Sequence, residues 1–138
     1  MWIPDVNVLV AAYRDTATHH EQARAWLESA LSGPEPVGVT DSVLAGMVRV
    51  VTNRRIFAPP TTTATAVEQM EDVRAAAQVV RPGRGWWSIF VRLCEQADAR
   101  GPLVADAAHA ATAIEAGAVW VTFDRDFARF PGLRWRTP

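Results

Sequence analysis

The sequence has no lysine; all 14 of its basic residues are arginine. That excludes a Schiff base, a lysine nucleophile and the lysine of a phosphate-binding P-loop. The single cysteine, Cys94, excludes an intramolecular disulfide and a cysteine zinc site, and it fits a reduced, cytoplasmic setting. No apolar run approaches the roughly 20 residues of a membrane span. The first residues, interrupted by Asp5, have neither a basic n-region nor an apolar h-region. A Gly-rich Walker loop is also missing, and no Ser/His/Asp or Cys/His set has supporting context. Internal repeats and low-complexity tails are absent. The expectation is one membrane-free cytoplasmic domain over residues 1–138.

What is present suits a folded domain. Of the 138 residues, 49% are hydrophobic, enough to build a substantial core. Fifteen acids against 14 bases leave a formal charge of -1, so bulk charge alone does not hold nucleic acid, although a local basic patch remains open. Trp2-Ile3-Pro4 reads as a short strand ending at Asp5, with Pro4 where its missing N–H is not needed. Hydrophobic periodicity predicts helices over 6–14, 20–31, 42–52, 64–77, 86–99 and 105–116. In the fifth, Trp87, Phe90, Val91 and Cys94 form the expected buried stripe. Strands are expected over 37–40, 79–80, 118–122 and 133–135, with a helical turn over 124–130. Thr40 or Asp41 caps the third helix, Thr63 the fourth, and Gly117 closes the sixth. Strands alternating with helices imply parallel crossovers in an α/β fold, whose ligands sit beyond the carboxyl ends of the strands.

Three acids fall where that rule puts a site. Asp5 follows the first strand, Asp124 follows the strand over 118–122, and Asp106 opens the alanine-rich sixth helix. An acid among apolar neighbours is costly unless its charge is compensated. Clustered carboxylates with few nitrogen or sulfur donors favour Mg²⁺ or Mn²⁺ over zinc, and such ions stabilise phosphoryl transition states. Each acid also has a structural reading: Asp5 as an N-cap, Asp106 as a dipole partner in a first turn, Asp124 and Asp126 as turn residues. His109, three residues after Asp106, faces the same way and either orients a phosphate or water or is simply packed. His19-His20 reads as a solvated cap region. Arg49, Arg54, Arg55, Arg81 and Arg84 are weak phosphate-binding candidates, and Trp86 and Trp87 either stack bases or pack in the core or an interface.

Four stretches together resemble the PIN-domain family, and within it the VapC-type ribonuclease toxins of toxin–antitoxin pairs. They are Pro4-Asp5-Val6-Asn7-Val8-Leu9-Val10, the segment from Val43 to Asn53, Asp106-Ala107-Ala108-His109-Ala110-Ala111, and Thr122-Phe123-Asp124-Arg125-Asp126-Phe127. The resemblance implies a three-layer α/β/α sandwich with a parallel sheet. It implies a Mg²⁺- or Mn²⁺-dependent endoribonuclease, a homodimer and a small VapB-like antitoxin. It places Asp5, Asp106 and Asp124 as metal-binding and catalytic acids, with Asn7 and Thr122 as supporting hydrogen-bond partners. One departure stands out: Gly46 occupies the position where the second motif usually has Glu. The site then holds one metal firmly rather than two, or borrows Asp41 or Asp126.

The rival from another class is a catalytically degenerate PIN domain that binds RNA or protein without cutting, with Gly46 as its supporting feature. An aspartyl phosphotransferase or receiver-like domain is disfavoured by the missing lysine.

Overall fold

A computed structural model describes all residues 1–138, and its architecture follows from short apolar strands separated by capped helices. Strand β1 (Trp2–Pro4) leads into α1 (Val6–Tyr13), α2 (His20–Ser32), β2 (Gly38–Val39), α3 (Asp41–Val51) and α4 (Thr63–Ala76). Then come β3 (Gln78–Val79), α5 (Trp86–Ala97), α6 (Pro102–Glu115), β4 (Val119–Val121), a 3₁₀ turn (Arg125–Arg129) and β5 (Arg134–Arg136). All pairings are parallel: β1 with β4, β4 with β5, β2 with β3. A parallel bridge from Trp2 to Val37 joins the two groups, giving the order β3-β2-β1-β4-β5. The chain leaves β1 for β2 on one side and returns to β4 on the other, so the topology switches at β1/β4, where α/β folds open a crevice. Pro4 ends β1 in register with Val121, as its missing N–H requires.

The helices form two packed groups, α1 through α4 and the pair α5/α6, around one continuous core that includes Ile3, Leu9, Met47, Leu93 and Trp120. Helix α6 turns a fully buried stripe of Ala107, Ala110, Ala111 and Ala113 inward; these small side chains let it lie close to the sheet. Pro102 occupies its first turn, and Gly117, with φ 61°, follows its end.

Several local expectations shift. Helix α6 begins at Pro102, so Asp106 sits in the second turn and is not a first-turn dipole partner. Thr62 rather than Thr63 caps α4, accepting from the Thr65 N–H at 3.2 Å; Thr40 caps α3 through the Val43 N–H at 3.1 Å. In α5 only Leu93 is fully buried, with Trp86, Phe90 and Cys94 half-buried against the core, while Trp87 is 65% exposed. The reason is a hydrogen bond from Trp86 Nε1 to Thr112 Oγ1 at 2.9 Å, which satisfies the indole donor on α6 and turns the next indole outward.

Candidate active site

At the carboxyl ends of β1 and β4, the Asp5 N–H donates to the Val121 carbonyl at 2.8 Å, placing Asp5 beside the segment Thr122-Phe123-Asp124. Asp5 is buried, and its Oδ1 accepts from the Val6 N–H at 2.6 Å. Its Oδ2 accepts from Asn7 Nδ2 at 2.9 Å and from the Thr122 hydroxyl at 2.6 Å. Thr122 Oγ1 in turn accepts from Asn7 Nδ2 at 2.9 Å and from the Asp124 N–H at 3.0 Å. Asn7 Oδ1 accepts from the Phe123 N–H at 3.2 Å. Every donor of the Thr122 hydroxyl and the Asn7 amide is therefore used, and the network locks both chain segments around one carboxylate. Asp5 thus caps α1 and carries the site at once.

Burial pushes Asp5 up to about 6 from 3.8, against the lowering effect of the Thr122 and Val6 hydrogen bonds, with Asp106 and Asp124 adding repulsion. Asp106 is raised by burial and by the charges of Asp124 and Asp126. Two carboxyls raised by burial and by neighbouring acids in one cavity are a feature of functional sites.

A cavity of about 670 Å³ opens here, lined by Asp5, Asn7, Asp106, Asp124, Arg49 and His109, with Phe123, Ile56 and Phe57 among its apolar wall. The Asp106 carboxylate accepts no hydrogen bond from the protein, and Asp124 is exposed with Oδ1 accepting from the Asp126 N–H at 2.8 Å, which leaves Oδ2 open. The three carboxylates share the cavity but do not converge on one ligating point with each other or with a histidine. The three acids expected at the site are thus brought to one cavity as a loose set, not as a closed ligand cage. An all-oxygen set of this kind fits Mg²⁺ or Mn²⁺, which keep several waters and need only one or two direct carboxylates.

Other candidates separate. Arg49 lines the cavity and pairs with no carboxylate, whereas Arg54 and Arg55 are exposed on the turn after α3 and lie outside it. Asp126 sits outside as well, 3.6 Å from Arg129 on the 3₁₀ turn; it acts on the site through its charge and through its N–H to Asp124. Asp41 pairs with Arg74 at 3.3 Å at the far end of α3, so it replaces no second-motif carboxylate. His109 stacks on Trp120 with centroids 5.3 Å apart, and burial lowers its pKa, making it a neutral hydrogen-bonding group rather than a cationic phosphate anchor. A Cβ on Gly46 would lie 2.7 Å from Val6 Cγ2; the helices touch where the Glu would begin.

His19 is the exposed N-cap of α2, as the solvated cap region implied, but the sequence did not show that it lines the cavity. Its φ of 69° places it in the left-handed region, and it stacks on Phe123 at 4.6 Å and 14° at the cavity wall. Only the flanking of Phe123 by Thr122 and Asp124 hinted that an aromatic residue would reach the site.

Known proteins resemble this chain in sequence and in fold. The PIN domain family profile matches residues 3–133. Among curated relatives, Ribonuclease VapC43 of Mycobacterium tuberculosis is 47% identical over 97% of this chain and 92% of its own. Ribonuclease VapC25 of the same organism is 39% identical over 100% and 99%. Among solved structures, VapBC2 from Rickettsia felis bound to a promoter DNA fragment superposes with a TM-score of 0.74, at 18% identity over 99% of this chain and 98% of that one. VapC20 of Mycobacterium tuberculosis, described as a sarcin–ricin loop cleaving toxin, gives 0.70 at 19% identity over 97% and 99%. The chain belongs to the PIN domain family, in its VapC group, with the α/β fold and parallel sheet that the motifs implied.

Proposed function

We propose that this chain is an endoribonuclease toxin of the VapC class that hydrolyses RNA phosphodiester bonds with Mg²⁺ or Mn²⁺ at Asp5, Asp106 and Asp124. The observation that carries the reading is the cavity that all three carboxylates line, with Asp5 held by three hydrogen bonds and raised to about 6. It stands in a chain 47% identical to a curated VapC ribonuclease.

The divalent ion supplies charge neutralisation and activation of water when bound. The protein's own part is positional. Asp106, with both oxygens free of protein partners, presents the most available ligand. Asp5 gives a rigid negative anchor, because its hydrogen bonds fix its rotamer. The open Oδ2 of Asp124 orients a water for in-line attack on the phosphorus. Arg49, unpaired at the rim, offers two parallel N–H groups to a phosphate oxygen. The 3′ oxygen leaves, giving 5′-phosphate and 3′-hydroxyl ends. The natural partners are an RNA substrate and a VapB-like antitoxin, and the chain works in the cytoplasm as a homodimer. No helix is long and apolar enough to cross a membrane.

The test is cleavage of single-stranded RNA in Mn²⁺ with and without chelator. Chelator-sensitive cutting, lost in Asp106→Asn, supports the reading. An inert, folded wild type that still binds RNA would favour the non-cutting binding module.

A further inference from the structure

We propose that His19 and Phe123 form a stacking platform for the nucleobase next to the scissile phosphodiester of a single-stranded RNA. The inference rests on the ribonuclease reading of the same cavity and adds a specificity-determining residue to it. His19 joins α1 to α2 in a left-handed backbone conformation, which non-glycine residues adopt uncommonly, His among the better tolerated. Such conformations persist where surrounding contacts over-determine them, often at ligand clamps. The contact here is a parallel stack on Phe123, with ring centroids 4.6 Å apart and planes 14° apart.

The stack is tied to the acids by backbone. Phe123 lies between Thr122, which donates to Asp5, and Asp124, and its own N–H donates to Asn7 Oδ1 at 3.2 Å. Both rings line the cavity that holds Asp5, Asp106 and Asp124. His19 is exposed while Phe123 is half-buried, and Phe123 is the only aromatic ring stacked on His19. His19 therefore presents solvent-accessible surface where it lines the cavity. The cavity is lined both by acids and by aromatic and apolar side chains, Ile56 and Phe57 among them. A nucleotide has the same two-part chemistry: a charged phosphate that a hydrated cation holds, and a flat apolar base that stacks. Acids and stacking rings in one cavity match both parts of a nucleotide, so RNA is the favoured occupant.

The test uses the full-length chain and a fluorescein-labelled single-stranded RNA octamer, titrated by anisotropy in EDTA so that binding is read without turnover. A matched octamer with 2-aminopurine at successive positions reads stacking by fluorescence quenching. His19→Asn keeps a residue that tolerates the left-handed conformation and removes the ring; His19→Tyr keeps a ring. We expect His19→Asn to weaken binding roughly 5- to 150-fold, the range for one base–aromatic stack, and to abolish quenching at a single position. In Mn²⁺ the same variant raises KM with kcat held. His19→Tyr retains the quenching signal. Melting curves of both variants separate lost stacking from lost fold.

Cleavage and binding by His19→Asn indistinguishable from wild type would overturn the platform while leaving the ribonuclease reading intact. A wild type that neither binds nor cuts RNA would overturn both. Unchanged RNA binding with lost affinity for the co-expressed antitoxin would assign the rings to a protein partner and overturn the proposal as well.

Discussion

Gly46 stands where the motif resemblance leads one to expect Glu, and there the structure makes its sharpest energetic statement. An added Cβ meets Val6 Cγ2 at 2.7 Å, 0.7 Å short of the 3.4 Å at which ordinary contact begins. Val6 cannot easily yield. It is β-branched, with one preferred rotamer in a helix, and its N–H is held by Asp5 Oδ1 at 2.6 Å. Overpacking of this kind costs about 1–3 kcal/mol. Replacing a helix-interior glycine by alanine returns about 0.8–1.0 kcal/mol. Gly46→Ala should therefore destabilise by up to about 2 kcal/mol, the difference of these two ranges. In a Val6→Ala background the obstructing methyls are gone, and the same change should stabilise by up to about 1 kcal/mol. Urea denaturation of the four proteins in this cycle, compared at constant slope, measures the coupling. A Gly46→Ala variant that stabilises the wild type by the full helix-propensity gain, uncoupled from Val6, would refute the close approach of α1 and α3. Gly46→Glu meets the same obstruction at its first carbon, so alone it should lose stability without tightening Mn²⁺ binding, as calorimetric titration would show.

Asp106→Asn should abolish cleavage with the fold intact and a slightly more stable apo protein, because a charge leaves a self-repelling cluster; circular dichroism melts and an RNA cleavage assay check both. Mn²⁺ at ~100 times its dissociation constant should stabilise the wild type by about 2.7 kcal/mol, and identical melts in EDTA and saturating Mn²⁺ would remove the metal. Asp5 binds its proton more tightly folded than unfolded, so its contribution to stability is full below pH 3.8 and is lost as pH rises towards about 6. From that group alone, the apo protein loses about 3 kcal/mol across this window. The pH dependence of stability should therefore flatten in Asp5→Asn, and Mn²⁺ affinity of the wild type should fall as pH drops below about 6. Thr122→Val removes the hydroxyl that donates to Asp5 and strands the Asn7 and Asp124 donors. It should cost about 1–3 kcal/mol and move the Asp5 titration further up, measurable by carboxyl NMR.

The element order, the parallel α/β class and the three acids were legible in the sequence because each rests on local chemistry. Apolar triplets bounded by Asp5 and Thr122 end as strands, alanine spacing builds α6, and Gly117 stops it. A strand-end rule then places Asp5 and Asp124 at one edge without knowledge of any contact. What the sequence left open turns on distances between segments far apart in the chain. A step of one residue rotates a helix by about 100°, so periodicity alone did not tell Trp86 from Trp87; the Thr112 hydroxyl on another helix decided it. Arg49, Arg54 and Arg55 are equivalent as charges, and only the curvature of α3 into its turn puts the first at the cavity and the others in solvent. His19 is the solvated cap it looked like, but its stacking partner, Phe123, is more than a hundred residues away and out of reach of local pattern. Asp5 would titrate as an ordinary carboxylate in the unfolded chain. Burial beside Asp106 and Asp124 makes it a strained acid, because charge in a low-dielectric pocket is a property of the packed tertiary structure and not of any single residue.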